Sequence, residues 1–180
     1  EPATWADFLQ GWSDELDRVR SALRALQPAR TLDVACGTGF FTRELRGDVV
    51  ALDQSTAMLE VARRQAPHAQ IVHGDAFYLP FDDDAFDRIV TGHFYGHLGD
   101  PERTRFLSEA RRVAPELVVV DAALRPDVDA AEWQDRRVYH DGSVHLVYKR
   151  YFTPGTLLDE LGGGEVLHAG HWFVVVRSPG

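Results

Sequence analysis

A short stretch near residue 35 combines the residue types that bind a small charged ligand against bare backbone. It reads Leu-Asp-Val-Ala-Cys-Gly-Thr-Gly over residues 32–39, so it begins apolar and β-prone and then carries an acid and two glycines. This order predicts a strand at about 31–35, a tight glycine turn and a helix at about 40–46. Glycine adopts positive φ and leaves room for a ligand, and the following helix N-terminus would offer unpaired N–H groups.

The acid at the end of this strand argues against a ligand that carries phosphate. A dinucleotide-binding loop has a third glycine three residues after the second, and that position is Thr42. The carboxylate of Asp33 would repel a pyrophosphate, but it suits a ligand with positive charge. S-adenosylmethionine (SAM), with its sulfonium and ammonium groups, is such a ligand. A nicotinamide oxidoreductase is therefore disfavoured.

Two further acids follow predicted strands and extend the same site. Asp53 ends an apolar strand over residues 48–53, where its carboxylate can accept hydrogen bonds from a ribose diol. Asp75 follows a strand over residues 70–73 and can accept from an adenine amino group, and Ala76 leaves room for the ring. The alternatives are a helix cap or solvated loop acid for Asp53, and an ordinary turn acid for Asp75.

Two stretches resemble the class I SAM-dependent methyltransferases, at residues 32–42 and 74–91. The second stretch contains Gly-Asp-Ala and Leu-Pro-Phe, followed by an acidic turn and Phe-Asp. The resemblance covers about residues 30–120. It implies an α/β, three-layer Rossmann-like sandwich whose seven-stranded sheet is mostly parallel, with a C-terminal antiparallel hairpin. It also implies SAM as cofactor and S-adenosylhomocysteine as product. The implied cofactor-binding residues are Asp33, Ala35, Cys36, Gly37, Thr38, Gly39, Asp53, Gln54, Met58, Gly74, Asp75, Ala76 and Thr91.

The remaining pattern predicts helices and strands that alternate along the chain. Ser13 could divide the first helix, and Asp141-Gly142 predicts the turn of a hairpin. The predicted helices are 3–26, 55–65, 100–113, 127–137 and 154–161, and the further strands are 86–91, 116–121, 165–169 and 171–177, besides the hairpin at 138–148.

Two histidines follow the fourth predicted strand, where open α/β sheets bind ligands. Methyl transfer is an in-line displacement that needs alignment above all, and a general base helps when the acceptor is a hydroxyl or neutral amine. His93 or His97 could be that base, although two hydrogen-bonded structural histidines remain the alternative. No metal site is expected, because no third ligand accompanies the histidines and the acids at 82–84 fit a solvated turn.

The methyl acceptor should lie among aromatic side chains from both ends of the chain. We expect a single domain over 1–180, with lid elements at 1–20 and 122–152 over a small acceptor. Arg136, Arg137, Lys149 and Arg150 could hold an acceptor carboxylate or form a solvated basic edge. The predicted acceptor-binding residues are Trp5, Trp12, His93, Tyr95, Trp133, Tyr139 and Tyr148.

Composition narrows the class of partner. The formal net charge of −9 over 180 residues disfavours nucleic acid. No apolar run predicts a membrane span and no signal peptide is evident, while Cys36 is the single cysteine, so we expect a cytoplasmic protein. Lys149 is the single lysine of the sequence, and this preference for arginine suggests a bacterial source.

The predicted function is methylation of a small molecule. The alternatives are a SAM-binding protein without turnover and a protein methyltransferase. The oligomeric state is undetermined.

Overall fold

A single twisted sheet forms the centre of the molecule. The computed structural model describes the backbone of residues 5–137 and 142–179 and the side chains of residues 9–133 and 142–179. The strands are β1 (Ala29–Val34), β2 (Gly47–Asp53), β3 (Gln70–His73), β4 (Arg88–Gly92), β5 (Glu116–Ala122), β6 (Ala131–Arg137), β7 (Val144–Arg150), β8 (Glu165–Ala169) and β9 (Phe173–Pro179).

Seven of these strands pair in the order β3-β2-β1-β4-β5-β9-β8. The first five are parallel, β9 is antiparallel to β5, and β8 is antiparallel to β9. The expected α/β fold with a C-terminal antiparallel hairpin is confirmed. The chain passes from β1 outward to β2 and β3 and then returns to β4 on the other side of β1. This reversal of direction opens a crevice at the carboxyl ends of β1 and β4.

Four α-helices cover the sheet: α1 (Trp5–Ala25), α2 (Thr56–Gln65), α3 (Asp100–Val113) and α4 (Pro154–Leu161). The side chain of Ser55 caps α2 by accepting from the Met58 N–H at 3.3 Å, and Thr153 caps α4 with Pro154 directly inside. Helix α1 is continuous through Ser13, so the possible division there does not occur. None of the helices within the described residues is both long and apolar enough to cross a bilayer.

Alternate residues of the buried strands face opposite helix layers. Along β2, Val50 and Leu52 pack in the core that contains Phe106 of α3 and Leu157 of α4. Their neighbours on β2 face the layer of α1 and α2, where Val49 shares a core with Leu23 and Ala51 shares one with Leu59. Both faces are therefore covered, which is why the parallel strands are apolar throughout.

The predicted helix at 40–46 is wrong. The chain forms only a short 3₁₀ turn at Thr42–Glu44 before β2 begins. The buried carboxylate of Glu44 accepts from Arg20 and Arg24 of α1 at 2.5 Å each. This ion-pair network fixes the segment against α1, and Phe41 and Leu45 pack in the same core as α1.

The predicted helix at 127–137 is also wrong. Residues 131–137 are strand β6, which pairs with β7 in a separate antiparallel ribbon. Trp133 lies opposite Tyr148 with ring centroids 5.5 Å apart, a cross-strand contact that outweighs the local helix preference. The second strand of the predicted hairpin is confirmed, while the predicted first strand at 138–140 and Asp141 of the turn fall outside the described residues.

Candidate functional site

The carboxyl ends of β1 to β4 border one cleft with two connected lobes. Ala35, at the end of β1, lines both lobes and separates them. Their volumes are about 170 Å³ for lobe A and 220 Å³ for lobe B, which suits an elongated ligand with two chemically different ends. Lobe A is lined by Ala35, Leu52, Asp53, Gln54, Gly74, Asp75, Ala76, Phe77 and Phe94. Lobe B is lined by Asp33, Ala35, Cys36, Gly37, Thr38, Phe40, Phe41, Gly92 and His93.

The two glycines of the loop serve different purposes. Gly37 has φ +54°, and a side chain added there would meet no described atom within 4 Å, because it would point into open space. Gly39 has φ +78°, and an added Cβ would lie 3.2 Å from Cα of Ala62 in α2. Gly37 therefore leaves room beside lobe B, whereas Gly39 lets the loop pack against α2.

Asp53 joins the loop to the next strand. Its Oδ2 accepts from the Gly37 N–H at 2.9 Å, and its Oδ1 accepts from the Ser55 N–H at 2.8 Å. The residue is half-buried and lines lobe A. An ionised carboxylate has about four acceptor positions, so two remain for a ligand diol. The structural role of a loop acid and the predicted role in ribose binding are thus compatible.

Asp33 is buried beneath the loop at the edge of lobe B. The Thr42 hydroxyl donates to its Oδ2 at 2.5 Å. Burial raises the pKa of Asp33 to about 7, opposed by this hydrogen bond and reinforced by the charge of Asp53. The sequence analysis used Thr42 only as a missing glycine, and nothing in the sequence around Thr42 indicates this contact.

The segment after β3 forms the floor of lobe A. The backbone N–H of Phe77 donates to Asp75 at 2.8 Å, and Asp75 itself is exposed at the rim. Ala76 is buried and keeps the floor narrow. The rings of Phe77 and Phe94, with centroids 6.2 Å apart, line this lobe. The sequence predicts Phe94 among the aromatic residues near the acceptor, whereas the structure places it on lobe A. Phe77 was not assigned to the site, although it lies two residues after Asp75.

Two of the predicted cofactor residues, Thr91 and Met58, do not line the cleft, whereas Cys36 does. Thr91 is fully buried, and its hydroxyl donates to the carbonyl oxygen of Val34 at 2.8 Å, so it ties β4 to β1. Met58 was predicted on the inner side of α2 but is 44% exposed. Cys36 lines lobe B, yet burial raises the pKa of its thiol well above the usual range, which excludes a ready thiolate nucleophile.

His93 stands where β4 ends and lobe B opens. Its φ is +55°, a left-handed conformation for a residue that is not glycine, and its N–H donates to the Val120 carbonyl at 2.9 Å. The ring centroid lies 6.0 Å from that of Phe41 and 5.4 Å from that of Phe173. These surroundings lower the pKa of His93 by desolvation, although the residue still reaches solvent at the mouth of the cleft.

His97 and Tyr95 belong to a 3₁₀ turn at Tyr95–His97, beside the cleft. Nδ1 of His97 lies 2.8 Å from the Tyr148 carbonyl oxygen, a distance that fits a donated hydrogen bond to the ribbon. Tyr95 is only 1% exposed, packs against Phe152 and donates its hydroxyl to Glu160 at 3.1 Å. The structure therefore places Tyr95 in the core and not among residues that line the cleft.

The other predicted acceptor residues lie on both sides of His93. Trp12 is exposed on α1 and packs against Phe173 at 6.0 Å, so a chain of rings links it to His93. Trp133 and Tyr148 share the ribbon. The side chain of Trp5 and all of Tyr139 lie outside the described residues.

The predicted basic edge divides into separate contacts. Lys149 is buried and bonds to Asp121 at 2.6 Å, so it does not lie on a solvated edge. Arg150 forms an ion pair with Glu160. The side chains of Arg136 and Arg137 are outside the described part of the chain.

Comparison with known proteins places this geometry in context. A family profile described as "Methyltransferase domain" matches residues 32–116. A demethylmenaquinone methyltransferase of Staphylococcus epidermidis is 38% identical over 104 residues, which cover 53% of this chain and 42% of that protein. One of Thermotoga maritima is 36% identical over 101 residues, covering 53% and 43%. The chain thus spans less than half the length of these curated relatives.

Solved structures match a larger part of the chain. A structure described as "DhpI-SAH complex structure" is 26% identical with a TM-score of 0.69, and the match covers 99% of this chain and 89% of that one. Another, described as "DhpI-SAM-HEP complex", is 23% identical with a TM-score of 0.72, covering 96% and 87%. The matched domain, the sheet order and the glycine loop agree, and together they support a class I, Rossmann-like SAM-dependent methyltransferase domain.

Proposed function

We propose that the protein binds SAM and transfers its methyl group to a small, largely apolar acceptor. The observation that carries the proposal is the bond from the Gly37 N–H to Asp53, which joins the glycine loop to the end of β2 between the two lobes. The relatives named as demethylmenaquinone methyltransferases and the neighbours described with SAM and SAH support the same activity and cofactor.

The two lobes divide the cofactor between them. Adenosine would occupy lobe A, with its ribose diol at the free acceptor positions of Asp53 and its ring beside Ala76 and Phe77. The amino-acid part would occupy lobe B, over the open space at Gly37. The carboxyl of Asp33 lies under that lobe, where ionisation would stabilise the cationic end of the cofactor.

The acceptor would approach lobe B from the side of His93. The rings of Phe41, Phe173 and Trp12 make this approach apolar and aromatic. Such walls favour a flat or apolar molecule with one nucleophilic atom, held in line with the methyl and the sulfur. The acceptor in the relatives' name, demethylmenaquinone, is consistent with this chemistry.

His93 is the proposed general base. Its lowered pKa leaves the imidazole neutral near pH 7, ready to take a proton from an acceptor hydroxyl as the methyl transfers. The left-handed backbone conformation of His93 is energetically unfavourable for a residue other than glycine. Backbone strain of this kind often occurs at functional sites. His97 is a weaker candidate, because its Nδ1 is engaged with the ribbon.

Calorimetry with SAM, S-adenosylhomocysteine and NAD tests the cofactor assignment. We expect binding of the first two and none of NAD; binding of NAD alone would refute the proposal. A panel of small acceptors that includes demethylmenaquinol and simple hydroxyl compounds tests turnover, with release of S-adenosylhomocysteine as the readout. With an active acceptor, His93→Ala should reduce kcat at least about tenfold while SAM affinity changes little, and His97→Ala should do less.

The same experiments separate this activity from the alternatives. A SAM-binding protein without turnover would bind the cofactor and methylate nothing in the panel, and a protein methyltransferase would methylate protein substrates only. A nucleic-acid substrate is disfavoured by the net charge of −9. A cytoplasmic location belongs to the same proposal and is supported by the single cysteine of the sequence.

A further inference from the structure

A buried ion pair lies beneath the turn that follows His93. Asp121, at the carboxyl end of β5, is fully buried and accepts three hydrogen bonds. Its Oδ2 accepts from the Gly96 N–H at 2.7 Å, and its Oδ1 accepts from the Ala122 N–H at 2.8 Å and from Lys149 Nζ at 2.6 Å. Lys149, the single lysine of the sequence, is 6% exposed.

These contacts join three segments that are distant in sequence. Asp121 belongs to the central sheet, Gly96 to the 3₁₀ turn and Lys149 to the β6–β7 ribbon. An added Cβ at Gly96 would lie 2.8 Å from Asp121 Oδ1 and 2.9 Å from Lys149 Nζ, so the turn presses directly on the pair. The bond between His97 and the Tyr148 carbonyl connects the same turn to the same ribbon.

A buried ion pair is a costly way to stabilise a fold, because desolvation of both charges offsets most of their attraction. An apolar contact would hold the ribbon as well or better. A role besides stability is therefore worth testing for this pair, which lies next to the backbone of His93. The His93 N–H donates at 2.9 Å to the carbonyl oxygen of Val120, the residue directly before Asp121.

The two charges act on His93 in opposite directions. The carboxylate of Asp121 raises the pKa of His93, and the ammonium of Lys149 lowers it. Desolvation is the largest influence and also lowers this pKa, and His97 of the turn lowers it further. Asp33 and Cys36 are titratable groups that line lobe B together with His93, while Phe41 and Phe173 contribute neutral rings.

We propose that the Asp121–Lys149 pair positions the 93–97 turn against the ribbon and balances the charge around His93, which makes Lys149 a positioning residue for methyl transfer. The proposal rests on His93 as the general base of the proposed function. Lys149 touches neither lobe of the cleft; it acts through Asp121 and Gly96.

Histidine titration by NMR tests the charge balance without cofactor or acceptor. The His93 signal is assigned by its loss in His93→Gln. Lys149→Met removes a cation that lowers the His93 pKa and should raise it by about half a pH unit. Asp121→Asn removes an anion that raises the His93 pKa and should lower it by a similar amount. The double variant should return it close to the original value. Arg150→Gln is the matched control, because it removes the neighbouring cation that pairs with Glu160. This variant should leave the His93 pKa unchanged.

The proposal would be overturned if the His93 pKa is unchanged in both single variants, or if it shifts in the same direction in both. A purely structural ion pair predicts a loss of stability alone. Should both variants fail to fold, ¹⁵N-lysine labelling of the unaltered protein still tests the buried pair on which the proposal depends. With one lysine in the sequence, a single slowly exchanging ammonium signal near neutral pH is expected, and its absence contradicts the buried pair.

Kinetics then connect the pair to catalysis. With an active acceptor, Lys149→Met should lower kcat about tenfold, move the acidic limb of the pH profile upward and leave SAM affinity within about twofold. If no acceptor is methylated at all, the proposed function fails while the NMR result still stands. If turnover is normal but the His93 pKa moves, the positioning role is refuted and the methyltransferase assignment survives.

Discussion

The cofactor side and the acceptor side of the cleft are assembled in different ways. On the cofactor side, Gly37 and Asp53 are 16 residues apart and meet at adjacent strand ends, where the Gly37 N–H donates to the Asp53 carboxylate. On the acceptor side, Glu15 of α1 accepts from the Phe173 N–H, 158 residues later, at 2.8 Å. The first side follows from the parallel strand order, whereas the second depends on where both ends of the chain finally pack. We therefore expect variants to separate into two groups: loss of cofactor affinity on one side, loss of acceptor use on the other.

The largest effect is expected at the glycine loop. Gly39→Val places a branched side chain at φ +78° and against Ala62 of α2, so it should lower the free energy of unfolding by about 3 kcal/mol or more and abolish SAM binding. Urea unfolding and calorimetry measure both. Gly37→Val is the matched control: its φ is also positive, but the space is open, so SAM binding should be lost with a smaller loss of stability. Equal losses of stability would show that the contact with α2 is unimportant.

Asp53→Ala should have the next largest effect. It removes the acceptor of the Gly37 and Ser55 N–H groups together with the proposed ribose contact, so SAM affinity should fall by on the order of 2–5 kcal/mol. Asp48→Ala, which removes an exposed acid from the same strand, controls for charge alone. Calorimetry of both variants measures the difference. Unchanged affinity in Asp53→Ala would mean that the cofactor does not use the end of β2.

These cofactor-side positions were predictable because a strand end fixes its residues in direction. The acids Asp33, Asp53 and Asp75 each follow an apolar run, and parallel strands bring such ends to one edge of the sheet. The contact between Thr42 and Asp33 was not predictable, since it depends on how the loop closes without the helix expected at 40–46.

The acceptor side was much less predictable. Residues 127–137 contain good helix formers, and only the long-range pairing of residues 131–137 with β7 makes that part a strand. Lys149 looked like part of a solvated edge because nothing near it in sequence reveals Asp121 as its partner. Long-range pairing overrides local preference at such positions.

Asp33 gives a pH test of the cofactor side. Its pKa of about 7 in the empty protein lies above the ordinary value of 3.8, so the buried carboxyl becomes protonated as pH falls through 7. A cationic cofactor favours the ionised form, so SAM affinity should fall by up to about tenfold between pH 7 and pH 6. Calorimetry in buffers of different ionisation enthalpy should show proton release on binding.

Two variants identify the group responsible for this pH dependence. Asp33→Asn should bind SAM more weakly and without that dependence. Thr42→Val removes the hydrogen bond that favours the ionised form and should move the midpoint upward. For the empty protein the sign is opposite: the contribution of Asp33 to stability is greatest below its ordinary pKa of 3.8 and decreases as pH rises towards 7. An affinity that does not change with pH would place the cationic end of the cofactor away from Asp33.

The smallest effect is expected at Trp12, on the acceptor side. Glu15, one turn further along α1, accepts the backbone N–H groups of His171 and Phe173, so α1 is fixed where Trp12 meets the ring of Phe173. Trp12 is 40% exposed, and its loss removes one wall of the approach to His93 without opening the core. Trp12→Ala should therefore raise the KM of the acceptor about three- to tenfold and leave kcat and SAM affinity close to normal. Leu9→Ala, at another exposed apolar residue of the same helix, is the matched control and should change none of them. If Trp12→Ala instead weakened SAM binding, α1 would close over the cofactor, and the two sides of the cleft would not be separable.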